Sequence, residues 1–439
     1  MKKAYIQTFG CQMNEHDSRR MRHLLDQEGF EPALTPEEAE LVVLNTCSVR
    51  EKPEHKVYSL VGRLAQLKAK RPEMVIAVAG CVAQQEGKKI LRRQKAVDLV
   101  FGPDQLFNLP QMLADVKAGK RGVYTEWAER EKKVQNFIPE EELAAGEVEG
   151  GQGMVVITKG CDNHCSFCIV PRTRGALASR EPENILAEAA DLIEKGAKEI
   201  LLLGQNVNSY QVGNTGFLEL LKEVAELPGL KRLRFMSPHP NDWNLALTEL
   251  MAQKKVLAKA LHLPFQAGSD RILAEMRRDH TKAQYLEKLA QLRERIPNLQ
   301  LTTDVIVGYP TETEAEFGET LAVIEAGRFF QIYGFMYSPR PGTKATKLED
   351  DIPLEVKEKR LQQVIALQGR IQNEILDEHL GQDFELLIDS AHPDFQGTMQ
   401  GRTEGGVRVS VADPDLEIGD LVQVQVTERR DHSLVGVRR

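Results

Sequence analysis

Three strand-like runs each lead into a cysteine: AYIQTFG precedes Cys11, LVVLNT precedes Cys47 and MVIAVAG precedes Cys81. Short β-rich runs alternating with helical stretches predict βαβ units and a parallel sheet. A parallel sheet puts its strands' carboxyl ends along one edge, where ligands gather, so the three thiols are expected to converge. One helical stretch between them starts at Pro53 and places Val57, Leu60, Val61, Leu64 and Leu67 on one apolar face. A single cysteine in such a position is ordinarily a buried core residue. Three in the same structural position point to a shared centre.

The other three, Cys161, Cys165 and Cys168, form one CxxxCxxC cluster in GCDNHCSFCIVP. Asp162, Asn163, His164 and Ser166 make that loop too polar for a core, which argues against simple burial. Zinc is the stronger competitor, since His164 adds a fourth ligand to three sulfurs. Zinc motifs usually pair two knuckles, however, and here there is no second one. Three clustered thiolates with an open fourth position suggest an iron–sulfur cluster that leaves one iron for another ligand. Six cysteines in 439 residues are too few to staple a small secreted fold.

The opening MKKAYIQTFGCQ lacks the pattern of a secretory signal, and no apolar run reaches the length of a membrane span. A cytoplasmic location and no membrane partner are therefore expected. Lys plus Arg is 57 against Asp plus Glu 65, a formal charge of −8. That excludes a polycation coating nucleic acid indiscriminately and leaves room for a local basic groove.

The expected organisation is an α/β multidomain chain. Residues 1–125 form a parallel α/β domain, and 126–152, charged and poor in large apolar residues, form a linker. From 153 to 374 the runs MVVIT, EILLLG, RLRFM, ALHLPF, LTTDVIVG and QIYGFMY recur at roughly 25–40 residues, the length of a strand, a helix and two connections. Six βα units are too few for a complete barrel of eight, so an open partial (β/α)6 barrel is predicted, with functional groups at the strands' carboxyl ends. A charged helix at about 353–380 leads into 375–439, where FELLIDS, GVRVSVAD, DLVQVQVTE and SLVGVRR predict a small β-barrel. Acidic residues outnumber basic ones about two to one there, against the positive surface expected of an RNA binder.

The CxxxCxxC loop resembles that of radical S-adenosylmethionine enzymes. With the three upstream cysteines the chain resembles the methylthiotransferase family over essentially its full length, in TFGCQMNEHDS, LNTCSVREKPEHKV, VAGCVAQ, GCDNHCSFCIVPRTRG, LLGQNVNSY, HLPFQAGSDRIL, DVIVGYPTET and YSPRPGT. SVREKPEHKV is most similar to the branch acting on isopentenylated tRNA adenosine. It is less similar to relatives that modify threonylcarbamoyladenosine in tRNA or ribosomal protein S12, which are the alternative acceptors. The C-terminal segment, with GRT at 401–403, resembles the TRAM RNA-binding module.

The resemblance implies two 4Fe-4S clusters. One, on Cys161, Cys165 and Cys168, binds S-adenosylmethionine at its open iron and yields a 5′-deoxyadenosyl radical after one-electron reduction. The other, on Cys11, Cys47 and Cys81, carries the sulfur that is methylated and passed to carbon 2 of the adenosine. The implied partners are tRNA carrying isopentenyladenosine in the anticodon loop and an electron donor such as flavodoxin or ferredoxin, with the enzyme a monomer. The base is expected to leave the anticodon-loop stack to reach the site.

Gly204, Gln205 and Asn206, after the second strand of the partial barrel, resemble the segment that meets the methionine amino group in this superfamily. Ser237, Gln266 and Asp304 are read as ending later strands and facing the same cavity. For each of these a structural turn or buried hydrogen bond is the alternative. Arg172, Arg174 and Arg180 are candidates for the cofactor carboxylate or a tRNA phosphate, with an ordinary surface position as the alternative. His55, Lys52 and Lys56 are candidates for RNA or for a solvated helix face, and Trp127 and Trp243 for core gaps. Relatives usually read RGxExSR where this chain has RGALASR, so Leu177 replaces a carboxylate. Where ThrHisAsn is common, this chain has ProAspGln at 103–105.

Overall fold

The structure, a computed structural model, describes residues 2–48, 51–127 and 133–439, and for 51–56 the backbone only. The side chains of Lys52, His55 and Lys56 therefore lie outside the described residues. The chain divides into two compact units, one of Met1–Gly146 with Thr158–Asn163 and Cys168–Arg180, the other of Glu147–Ile157, His164–Phe167 and Glu181–Arg439.

The first unit is built on a six-stranded sheet in the order Phe30–Pro32, Lys2–Thr8, Leu41–Thr46, Val75–Gly80, Leu99–Phe101, Gly122–Tyr124. Every pairing is parallel. Both faces are covered, which is why the strands read as continuous apolar runs. Val43, Ala77, Leu99 and Phe101 pack with Met21, Leu24 and Leu25 of the helix Gln12–Gln27. Val42, Leu44, Ile76, Val78 and Val100 pack with Val57, Val61 and Leu64. That second helix spans Glu51–Lys70, two residues earlier than the Pro53 start expected from the sequence. Chain order reverses between Lys2–Thr8 and Leu41–Thr46, and such a switch point opens a crevice at the strands' carboxyl ends.

In the segment 126–152 the described part holds a 3-10 turn, Glu140–Ala145, and a short strand, Val148–Glu149. The second unit then carries six parallel strands in two sheets. Gln152–Val156, Glu199–Leu203 and Arg232–Phe235 lie in one, with Val148–Glu149 added antiparallel at its edge, and Ala260–His262, Gln300–Val307 and Gln331–Met336 form the other. A parallel bridge between Leu233 and Leu257 links them into an open arc. Residues such as Val155, Ile200, Leu202, Leu233, Leu301 and Val305 alternate outward into one large core with the surrounding helices. The partial barrel of six βα units is present.

The helix Leu354–Glu378 leads to a closed five-stranded barrel of Asp383–Ala391, Thr398–Arg402, Arg408–Ala412, Ser433–Arg438 and Leu421–Arg430. It docks at the amino ends of the arc's strands. Arg232 donates to the carbonyls of Arg402 (3.1 Å) and Glu385 (3.3 Å), and Arg234 to those of Thr403 (2.9 Å) and Glu404 (2.5 Å). Buried Glu199 accepts from Arg234 at 2.9 Å, stands 3.5 Å from Arg232, and also accepts from Gln152. Burial opposes its ionisation, but Arg234 and Arg232 hold its carboxyl below the usual range. Among the described residues no helix is long and apolar enough to cross a membrane.

Candidate functional site

Cys11 caps the helix Gln12–Gln27, Cys47 directly follows Leu41–Thr46, and Cys81 opens the helix after Val75–Gly80. The register sets Thr8 opposite Asn45 and Thr46 opposite Gly80, so the three cysteines leave neighbouring strands at one edge, two of them flanking the switch point. Asn14 ties their loops together: its Nδ2 donates to the Phe9 carbonyl at 2.8 Å and to that of Thr46 at 2.9 Å. Gly10, with φ +117°, lets the first loop close on the second, since a Cβ there would lie 2.4 Å from Cys47 Cβ and 2.8 Å from its Sγ.

The Cys47 thiol donates to Cys11, and with Arg174 and the Asn14 and Met13 amides this outweighs burial and brings Cys11 down to about 6. Arg174, 8% exposed, donates from its guanidinium to Asn14 Oδ1 and Asp17 Oδ2, each at 2.8 Å. Burial works against its charge, but Asp17, Cys81 and Cys11 more than compensate and raise its pKa. Arg174 is thus no surface arginine waiting for a phosphate. Neither is Arg180, which is fully buried with its guanidinium 5.9 Å above the Phe137 ring. Of the three candidate arginines only Arg172 is exposed.

The CxxxCxxC loop is half-buried at all three sulfurs. The Asn163 amide points at Cys161 Sγ and the Val170 amide at Cys168 Sγ, each at 3.4 Å. Cys165 Sγ takes a 3.5 Å contact from Arg278 Nη1, and next to it Ser166 is fixed by its bonds to the Glu275 carbonyl (2.8 Å) and the Tyr309 hydroxyl (2.9 Å). Among the described residues no three His, Cys, Asp or Glu side chains close into a metal cage. The donor sets nevertheless suit thiolate-bound iron: soft sulfurs with amide or guanidinium donors aimed at them. Leu177 donates its amide to Asp162 Oδ1 at 2.9 Å, and Asp104 of the ProAspGln segment pairs with Lys159.

Gly204 follows Glu199–Leu203, and Ser237 follows the adjacent Arg232–Phe235. Asn206 is buried, donates to Ser209 and to Asp242 Oδ2 (3.0 Å), and leaves its Oδ1 without a partner. Gln205 beside it is half-buried. Gln266 joins the second sheet, its amide donating to the Asp304 carbonyl at 3.1 Å. Ser237 (φ 62°) and Gln266 (φ 71°) are both left-handed, a conformation that costs about 1 kcal/mol or more and clusters at functional sites. Asp304 does not end its strand. It sits inside Gln300–Val307, its side chain 3.5 Å from His262 Nε2. The two pairs stand on separate sheets of the same arc. Trp243 is a core residue, stacked on Phe235 and donating to Thr248 at 3.0 Å, and Trp127 is half-buried.

Two buried histidines escaped the sequence reading, because SPHP and RDH look like ordinary loop text. His239 and His280 lie with ring centroids 6.4 Å apart. Burial first, then the Arg278 charge, lowers them to about 2 and about 4. Both are neutral when folded, whereas in the unfolded chain they titrate near 6.5. Their contribution is complete above that value and is lost as pH falls from 6.5 toward 4 and below. Unfolding free energies from urea titrations should decline with acidification by up to about 2.7 kcal/mol per pH unit from two protons. An H239Q/H280Q variant should lack that part of the slope, and an unchanged slope would contradict the assignment.

Residues 3–102 match the uncharacterized protein family UPF0004, 155–324 the radical SAM superfamily and 378–437 the TRAM domain. The chain is 42% identical over 443 residues to a tRNA-2-methylthio-N(6)-dimethylallyladenosine synthase of Syntrophotalea carbinolica, covering 100% of both. To the protein of the same name from Cereibacter sphaeroides it is 43% identical, covering 100% of this chain and 98% of that one. Among solved structures, the radical S-adenosylmethionine methyltransferase TsrM of Kitasatospora setae aligns with a TM-score of 0.56 at 13% identity, over 91% of this chain and 77% of that one. At that identity the likeness is one of fold alone.

Proposed function

The chain belongs to the family of tRNA-2-methylthio-N(6)-dimethylallyladenosine synthases, and on that premise we propose that it adds a methylthio group to carbon 2 of N(6)-isopentenyladenosine beside the tRNA anticodon. Supporting this are the full-length relatives and one observation above the rest: Cys11, Cys47 and Cys81 leave adjacent parallel strands at one edge, where Arg174 meets the Asn14 that ties the first two loops together.

Cys161, Cys165 and Cys168 would hold one 4Fe-4S cluster and Cys11, Cys47 and Cys81 the other. When bound, these clusters and S-adenosylmethionine supply the radical that removes the hydrogen of carbon 2 and the methylthio group that replaces it. The C–H bond is too inert for acid–base chemistry. The protein's share is placement. The Asn163 and Val170 amides and Arg278 orient the loop sulfurs. Gly204, Gln205, Asn206, Ser237, Gln266 and Asp304 offer backbone and carboxamide or carboxylate groups to the cofactor. Phe167, Tyr309 and Tyr337 form an apolar backing that keeps water from behind the loop. A flavodoxin- or ferredoxin-type donor acting on a monomer completes the reading.

Nucleoside mass spectrometry of tRNA tests it. A strain lacking the gene should keep N(6)-isopentenyladenosine and lose its 2-methylthio form, and the wild-type gene should restore it. Loss of methylthio-threonylcarbamoyladenosine or of the ribosomal protein S12 modification instead would overturn it.

A further inference from the structure

We infer that Arg174 is a positioning residue for the Cys11–Cys47–Cys81 centre, its buried guanidinium supplying the fixed countercharge and the hydrogen bond that orient this centre. The inference rests on the proposed role of those cysteines as ligands. Arg174 lies near enough to Cys81 and Cys11 for its charge to act on both. Through Asn14 Oδ1, at 2.8 Å, it grips the residue whose Nδ2 spans the carbonyls of Phe9 and Thr46, and so reaches the loops that carry Cys11 and Cys47. One side chain thereby acts on all three, by charge or through Asn14.

Its own position is over-determined. It caps the short helix Val170–Thr173, its amide donating to the Val170 carbonyl at 2.8 Å, and Asp17 holds the guanidinium at 2.8 Å. A guanidinium taken out of water loses several kcal/mol of solvation. One carboxylate offsets only part of that, and the Nη2 that meets Asp17 also donates to Asn14. A centre with three thiolate ligands is anionic, and net charge and hydrogen bonds at the sulfurs set how readily such a centre is reduced. Nη2 alone makes both the Asn14 and the Asp17 contacts, and the flat guanidinium that presents it differs in shape and charge spread from a lysine ammonium.

The test uses the full chain with Cys161, Cys165 and Cys168 replaced by alanine, so that only the N-terminal trio remains, reconstituted anaerobically with iron and sulfide. That parent should hold about four irons, as a single four-iron cluster implies. R174Q should retain less than half of them, or need at least tenfold more reducing conditions to give the reduced EPR signal. R174K should recover iron content but not the parent's spectrum. D17N keeps the arginine and removes its anchor. It should alter the same spectrum, and it gives the answer if R174Q does not fold, as judged by circular dichroism. R174Q with the parent's iron, spectrum and reduction midpoint overturns the inference, as does an unchanged D17N where R174Q is unfolded. A parent that takes up no iron overturns the ligand reading itself and the inference with it.

Discussion

Chains carrying Cys161→Ala and Cys47→Ala should both fail to make 2-methylthio-N(6)-isopentenyladenosine, and should fail for different reasons. Each should hold about four irons after anaerobic reconstitution instead of about eight, as the loss of one of two four-iron clusters implies. C161A should also release no 5′-deoxyadenosine on reduction with dithionite. C47A, with the CxxxCxxC loop intact, should still release it and leave the tRNA base unmodified. The split follows from the chain's construction: one trio lies within eight residues of a single loop, the other on three neighbouring strand ends. Product formation by C47A would remove the N-terminal trio from the reaction.

Glu199→Ala should be the most damaging substitution remote from the cysteines. Its carboxylate is almost fully buried, accepts from Arg234 at 2.9 Å and lies 3.5 Å from Arg232. Its removal strands two guanidinia in a dry junction, a loss of about 3–5 kcal/mol for a broken buried pair. Both arginines also donate to carbonyls of the C-terminal barrel, so that barrel should loosen first. Limited proteolysis should cut E199A between the arc and residues 383–438 at a denaturant concentration that leaves the parent intact. Equal protection of the two chains would show that the junction is held by other contacts.

Much of this architecture was legible because buried parallel strands need unbroken apolar runs, and each of the six runs of the arc appears as a strand. The cysteine positions were legible for the same reason, since an apolar run that stops at a polar loop marks a strand's end. Strand order was not: βα alternation dictates parallel pairing but not which strand lies beside which, so the switch point between Lys2–Thr8 and Leu41–Thr46 emerged only with the sheet. Asp304 was misplaced because LTTDVIVG alternates over its whole length and nothing in it marks where pairing stops. The burial of Arg174 and Arg180 was hidden because a guanidinium's partners come from distant sequence. PRTRG does not announce Asp17, nor does ASR announce Phe137.

The C-terminal barrel carries its arginines already engaged. Arg402 and Arg408 meet Asp389, Arg429 meets Asp377, Arg430 meets Glu428, Arg438 meets Asp413 and Arg439 meets Asp383. An incoming phosphate meets guanidinia that already face carboxylates, so its approach is an exchange of one anion for another across exposed pairs that are individually weak. Discrimination between RNA molecules then falls to whichever loop shape makes that exchange worthwhile.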